Sequence, residues 1–300
     1  MKKVAVSIGD LNGIGIEIAL KAHDKIKKWV NPIYCINEKM LKKAAKLLNI
    51  KIPEDFKIYE VPGDFEITPG KIDKKSGKYS FDSFISAINL AKEKKADAIT
   101  TLPIHKESWA KAGINYKGHT EVLRDIFKKN AIMMLGCPKM YVALFTEHIP
   151  LKKVAENIKK EKLFEFLIDF YKSTGFENIG VLGLNPHAGD GGVLGDEEIK
   201  EILPAILEAN ETLQKNVFYG PLVPDIAFVK RKGIYIAMYH DQGLAPLKAL
   251  YFDESINVSL NLPILRTSVD HGTAFDIAYK GIANTKSYEN AIKFIKNSNF

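Results

Sequence analysis

The stretch Gly233-Ile-Tyr-Ile-Ala-Met-Tyr-His-Asp-Gln-Gly-Leu-Ala-Pro-Leu-Lys248 decides how the chain is read. Its first part, Ile234 to Tyr239, has the length and residue types of a strand buried on both faces, and it gives out in His240, Asp241, Gln242 and Gly243. Open α/β sheets bind ligands outside the carboxyl ends of their strands, so this polar cluster falls where chemistry is expected. His240 is therefore the first candidate for a metal ligand, with other strand ends supplying the rest of a site.

The same pattern recurs on both sides. Val4 to Ile8 reads as a strand, and Gly9-Asp-Leu-Asn-Gly-Ile-Gly-Ile-Glu17 as a turn into a helix whose stripe is Ala19, Ala22, Ile26 and Trp29. That order suits an anion or dinucleotide at the helix start, with Gly13 and Gly15 as its glycines. A tight turn with no ligand reads equally well, since the full dinucleotide fingerprint is absent. Further strands are expected at 31–36, 96–102, 139–145, 178–184 and 256–260, and helices at 39–48, from Phe81, from Gly118, at 151–173, after Thr273 and at 287–297. Lys51 to Ser80 reads as an irregular excursion with a short strand pair. Thr120 reads as the N-cap of the helix after Gly118, or with His119 as an anion site at its start. Asp196, Glu197 and Glu198 read as acidic first-turn residues. Strands alternating with helices predict an α/β fold, three layers deep, with a largely parallel sheet.

Composition narrows the classes. Hydrophobic residues make up 46% and charged residues 26% of 300, ordinary values for a folded globular chain. Cys35 and Cys137 lack Cys-x-x-Cys spacing, which excludes a cysteine-based metal site and suits a reducing cytoplasm. The first residues do not read as an export signal, and no apolar run approaches the roughly 18 residues of a membrane span. The net charge of +7 is spread along helices, which argues against nucleic acid and for an anionic small substrate. Only Arg124, Arg231 and Arg266 are arginine among 43 basic residues, so Arg266 inside a polar motif points to a phosphate or carboxylate.

Of seven histidines, only His23 is expected inside a helix. A lone histidine at a strand end is more often structural than a ligand. His148, His187 and His240, however, each close an apolar strand with carboxylates or amides nearby to orient the ring. Three neutral imidazoles suit zinc, cobalt or another borderline divalent ion and leave positions open for substrate. Spacing does not say whether the three meet in one subunit or across two.

With these stretches in hand, the chain resembles the 4-hydroxythreonine-4-phosphate dehydrogenase family of pyridoxal phosphate biosynthesis over nearly its whole length. The resemblance rests on the motif at 9–17, Pro69-Gly-Lys71, Gly118-His-Thr-Glu121, Asn185-Pro-His-Ala-Gly-Asp-Gly-Gly192, Tyr239-His-Asp-Gln-Gly-Leu244 and Arg266-Thr-Ser-Val-Asp-His-Gly-Thr-Ala274. It implies an isopropylmalate dehydrogenase-like fold, and as metal ligands His148, His187 and His240, for zinc, magnesium or cobalt. Its substrate residues fall on His119, Thr120, Lys248, Asn257 and Arg266. The stretch His271 to Asn284 is similar to an adenosine-binding loop, which makes His271, Gly272, Asp276 and Asn284 candidates for NAD or NADP. The family implies a homodimer with a shared active site. Residues 1–130 with 260–300 are read as a cofactor-side domain, and 131–259 as the metal, substrate and dimerisation domain. Two departures stand out: His105 where the family has a small polar residue such as asparagine, and Val223-Pro-Asp-Ile226 around Asp225.

The implied reaction oxidises a phosphorylated secondary alcohol that carries an amine and a carboxylate, followed by loss of carbon dioxide. Asp225, Asp241 and Lys106 are the candidate bases. A relative acting on another four-carbon phosphate, a tri-histidine metal hydrolase and a basic module for RNA or an acidic partner are the competing readings.

Overall fold

The structure, a computed structural model, describes residues 1–298. Its strands are β1 (Lys3–Ser7), β2 (Asn31–Cys35), β3 (Ile58–Tyr59), β4 (Ala98–Thr101), β5 (Ile132–Cys137), β6 (Met140–Leu144), β7 (Ile179–Leu182), β8 (Phe218–Leu222), β9 (Gly233–Ala237), β10 (Ile256–Leu260) and β11 (Leu265–Val269). Two compact units form. The first holds Met1–Lys129, Ile256–Val258 and the chain from Leu262 onward; the second holds Asn130–Ser255 and Ser259–Asn261. The expected α/β class with a largely parallel sheet is what is found.

In the first unit the strands lie in the order β3-β2-β1-β4-β11, all parallel. The chain winds outward from β1 through the helices Gly15–Ile26 and Glu38–Leu48, then returns through the helix Lys74–Lys92 to β4 on the other side of β1. Right-handed crossovers in two directions put helices on opposite faces, so β1 and β4 flank a topological switch point. Ser7 pairs with Thr101 at their carboxyl ends, which places Asp10 and His105 just beyond that point.

Two expectations in this unit are corrected. The excursion ends at Asp73, because its carboxylate caps a helix by accepting from the N–H of Lys75 at 2.8 Å and Ser76 at 3.0 Å. Of the expected strand pair only β3 exists, two residues added to β2. The helix expected directly after Thr273 is absent: residues 274–285 run as turns, with Ala274, Tyr279 and Gly281 in the left-handed region, which interrupts helical hydrogen bonding.

In the second unit the order is β5-β6-β9-β7-β8, with only β5 and β6 antiparallel. β5 carries no sequence signal of its own, because Ile-Met-Met-Leu-Gly-Cys is apolar throughout and periodicity does not separate strand from helix there. Gly136 is required in it: at φ 145° a Cβ would stand 2.0 Å from the Met140 carbonyl oxygen. The expected helix 151–173 is broken, since Ile158 and Lys159 turn extended between a short helix at Val154–Asn157 and a long one at Lys160–Thr174. Behind β5, β6 and β9 lies a core in which Met133, Val142, Leu144 and Ala237 meet Leu244 and Leu247 of the helix His240–Tyr251. Each such buried side chain contributes about 1.5–3 kcal/mol, enough to fix the helix that His240 begins.

Cys35 and Cys137 are buried and free. Among the described residues no helix is long and apolar enough to cross a membrane.

Candidate active site

In the second unit the exits of β6 and β9 are tied together. The Phe145 N–H donates to the Ala237 carbonyl at 2.9 Å, and the Thr146 hydroxyl to the Met238 carbonyl at 2.6 Å. Gln242 extends the tie to β7, accepting from the Met238 N–H and donating to the Gly183 carbonyl, both at 2.7 Å. These bonds hold the His148 and His240 rings with centroids 5.5 Å apart. His240 Nδ1 meets an Asp241 carboxylate oxygen at 2.6 Å, which fixes the ring and leaves Nε2 as its outward nitrogen.

His187 stands on a loop of unusual backbone. His187, Ala188 and Asp190 have φ of 54°, 51° and 46°, a left-handed run that persists only where its surroundings impose it. The constraint is Glu198, almost fully buried. One of its carboxylate oxygens accepts from the N–H of Leu184 and of Asn185, each at 2.7 Å, and the other from the Asn185 amide at 2.9 Å. Glu198 is thus an anchor and not a plain helix-start acid, a role with no local sequence signal.

Among the described residues no three His, Cys, Asp or Glu side chains are grouped to hold a metal ion. The structure brings His148 and His240 together. Two imidazoles, one backed by a carboxylate, fit part of a site for zinc or cobalt. Of the candidate bases in this unit, Asp241 is engaged with His240. Asp225 is exposed on a single helical turn, Pro224–Ala227. Lys248 lies two turns along the helix that His240 starts, its ammonium 5.9 Å from the Phe252 ring centre.

The first unit carries a second cluster. Arg266, on β11, is 3% exposed, and its Nε and Nη2 donate to the Thr101 hydroxyl of β4 at 3.1 and 2.7 Å. Burial lowers its pKa to about 9, which leaves the guanidinium cationic at neutral pH. His119 is the first residue of the helix His119–Phe127, so Gly118 and not Thr120 occupies the cap position. The imidazole packs edge-on against Phe84 at 4.6 Å and Trp109 at 5.6 Å. Burial, with the Arg266 charge adding to it, holds its pKa well below 6.5, so the ring is neutral. His119 Nε2 and Asn257 Oδ1 are both buried without a hydrogen-bond partner among the described residues. Each therefore keeps hydrogen-bonding capacity that no described protein group uses. Lys106, at the start of the helix Lys106–Lys111, is exposed.

The glycine turn is closely packed. A Cβ on Gly13 would lie 2.8 Å from the Thr273 carbonyl oxygen, and one on Gly15 would lie 2.6 Å from that of Ile8. The Ile14 N–H is taken by the Thr273 carbonyl, and residues 4–20 are all buried, so the absence of a Cβ at these glycines serves close packing. Asn12 instead pins the Pro69-Gly-Lys71 loop, bonding the Thr68 N–H and the Lys71 carbonyl. The loop after β11 differs. Gly272 is exposed with nothing near its missing Cβ, and His271 Nε2 is buried and unpartnered among the described residues. Asp276 is exposed, whereas Asn284 already accepts from the Lys286 N–H at the start of the last helix. His105 caps its helix through Nδ1 and stacks on Phe275 at 4.7 Å, so the departure at this position is built into the fold.

Residues 28–295 match the model of the pyridoxal phosphate biosynthetic protein PdxA. The chain belongs to the PdxA family. It is 63% identical to a 4-hydroxythreonine-4-phosphate dehydrogenase of Sulfurimonas denitrificans, over 97% of this chain and 96% of that one. The crystal structure of a 4-hydroxythreonine-4-phosphate dehydrogenase from Burkholderia phymatum matches with a TM-score of 0.82 at 30% identity, covering 99% of this chain and 98% of that one. A β-decarboxylating dehydrogenase of Thermococcus kodakarensis shares the fold, with a TM-score of 0.55 at 15% identity over 98% of this chain and 82% of that one. The expected isopropylmalate dehydrogenase-like architecture of this PdxA family member agrees with that likeness.

Proposed function

We propose that this PdxA family member oxidises 4-phosphooxy-L-threonine at its secondary alcohol with NAD or NADP, and that the resulting 2-amino-3-oxo-4-phosphooxybutanoate loses carbon dioxide to give 3-amino-2-oxopropyl phosphate. The observation that carries the reading is the paired imidazoles of His148 and His240 with Asp241 behind one of them, in a chain 63% identical to a relative of that name. His148, His240 and His187 would hold a divalent cation, which supplies Lewis acidity toward the substrate's alcohol oxygen when bound. A shared site in a homodimer would complete the set of three around the cation. Ile199, Leu203 and Leu207, spaced four apart and 50%, 37% and 59% exposed, offer the apolar stripe for that dimer.

Arg266 supplies a desolvated cation for the substrate's phosphate or carboxylate, with Lys248 as a second. His119, neutral, donates or accepts one hydrogen bond through Nε2, and Asn257 accepts one through Oδ1 in an orientation that fits an ammonium or hydroxyl group. Thr120, beside His119 at the helix start, adds a hydroxyl and a backbone N–H. His271, Gly272 and Asp276 form the loop that would receive the nicotinamide dinucleotide, the hydride acceptor. Lys106 and Asp225 remain as bases for the hydroxyl proton, since Asp241 serves His240. The action takes place in the cytoplasm.

The test is reduction of NAD or NADP in the presence of zinc, cobalt or magnesium and a panel of four-carbon phosphates. Turnover of 4-phosphooxy-L-threonine with carbon dioxide release, lost in His240→Ala, is the expected result. Preference for a phosphothreonate or phosphoerythronate, or hydrolysis without nucleotide, would replace the reading.

A further inference from the structure

At the other end of the second unit's sheet, the amino ends of β6, β7, β8 and β9 surround a cavity of about 770 Å³. His148, His187 and His240 follow the carboxyl ends of β6, β7 and β9, so the length of a five-residue strand, roughly 16 Å, separates the cavity from them. Part of the lining is aromatic: Tyr141 and Phe176 lie with ring centres 5.8 Å apart and planes 24° from parallel, and Tyr219 is 47% exposed. Lys230, Arg231 and Lys232 are also in the lining and bring cationic residues to it. Among the described residues no carboxylate pairs with any of these three.

The cationic loop is held in place. The Tyr251 hydroxyl donates to the Arg231 carbonyl at 2.5 Å, and the Tyr235 hydroxyl lies 2.9 Å from the Lys232 carbonyl and 2.8 Å from that of Ala227. Arg231 itself sits at φ 51°, a left-handed conformation that costs a side-chain-bearing residue energy and that these bonds help impose. Lys139, also on the rim, is diverted to Glu254 at 3.7 Å and to the face of Tyr251.

We infer that this cavity is a second ligand site, separate from the candidate active site, for a small molecule that joins a flat aromatic ring to a phosphate. The Tyr141, Phe176 and Tyr219 surfaces receive the ring, and the Arg231 fork with Lys230 and Lys232 receives the phosphate. The concavity is open to solvent on one side, and its volume is in the range of small-ligand sites. A nucleic acid would call for a basic stripe continuing beyond one concavity.

The test uses metal-loaded protein saturated with NAD, so that the cofactor loop is filled, and titration calorimetry with pyridoxine 5′-phosphate, adenosine monophosphate, inorganic phosphate and a short single-stranded oligonucleotide. Saturable binding of one ring phosphate per chain is expected, at least about tenfold tighter than inorganic phosphate. Which of the two ring compounds binds distinguishes a pyridine source from a nucleotide source. Arg231→Gln with Lys232→Gln, and separately Tyr219→Ala, should weaken it by about tenfold (about 1.4 kcal/mol) with turnover unaffected. Arg266→Lys should leave it unchanged. Equal affinity for inorganic phosphate, no loss in the loop variants, loss in Arg266→Lys, or tighter binding of an oligonucleotide than of either ring phosphate would each overturn the inference.

Discussion

Glu198→Ala should both destabilise the protein and weaken its hold on a divalent metal. The carboxylate accepts three N–H groups, from Leu184, Asn185 and the Asn185 side chain, while being 2% exposed. Charged hydrogen bonds contribute about 1.5–3 kcal/mol each, but the three share one anion and the freed loop can turn toward water, so the loss is put at roughly 3–5 kcal/mol, as for removal of one partner of a buried ionic group. Glu198→Gln keeps one oxygen for the two backbone donors and should lose only about 1–2 kcal/mol. The left-handed run at His187 depends on the same anchor, so metal affinity should fall with stability. Urea unfolding gives the first quantity and calorimetric titration with zinc or cobalt the second. A Glu198→Ala protein within about 1 kcal/mol of the parent and binding metal equally well would refute the assignment of Glu198 as the loop's anchor.

Asp241→Asn keeps the shape but removes the charge behind His240 Nδ1, and metal affinity should drop about 10- to 100-fold without a change in fold, read by the same titration. Arg266→Lys replaces a fork by a point charge at a buried site, and KM for the phosphorylated substrate should rise roughly 10- to 100-fold while the circular dichroism spectrum stays unchanged. His119 has a folded pKa well below 6.5, so below 6.5 the unfolded chain takes up a proton that the folded chain refuses. Stability must then fall as pH drops, by up to about 1.4 kcal/mol per pH unit. Urea midpoints between about pH 7 and about pH 5.5 should show a shallower decline in His119→Gln; an identical slope would mean that the ring is protonated in the folded protein.

Much of the layout was legible in residue order. Short apolar strands ending in polar clusters announce a parallel sheet, because only a strand buried on both faces can do without alternation. That same uniformity hid β5, whose six apolar residues carry no period, and the broken helix at Ile158 likewise left no proline or glycine to mark it. The candidate ligands were legible because histidines at strand ends are few and chemically distinctive. Their support was not. Glu198, fourteen residues from the Leu184 N–H that it holds, and Thr101, which reaches Arg266 across 165 residues, are ordinary residue types made important by position.

The glycine turn shows the limit most plainly. Gly13 and Gly15 look the same in sequence whether a phosphate or the protein's own backbone comes close, and only the approach of the Thr273 and Ile8 carbonyls decides for the backbone. Sequence by itself determined which side chains could do chemistry and that strand ends would carry them. Tertiary structure decided which of them meet: it paired His148 with His240, and it set the His119 ring in a buried place near Arg266 so that one stays neutral and the other charged. Burial and distance set protonation and ligation, and neither is written in local residue order.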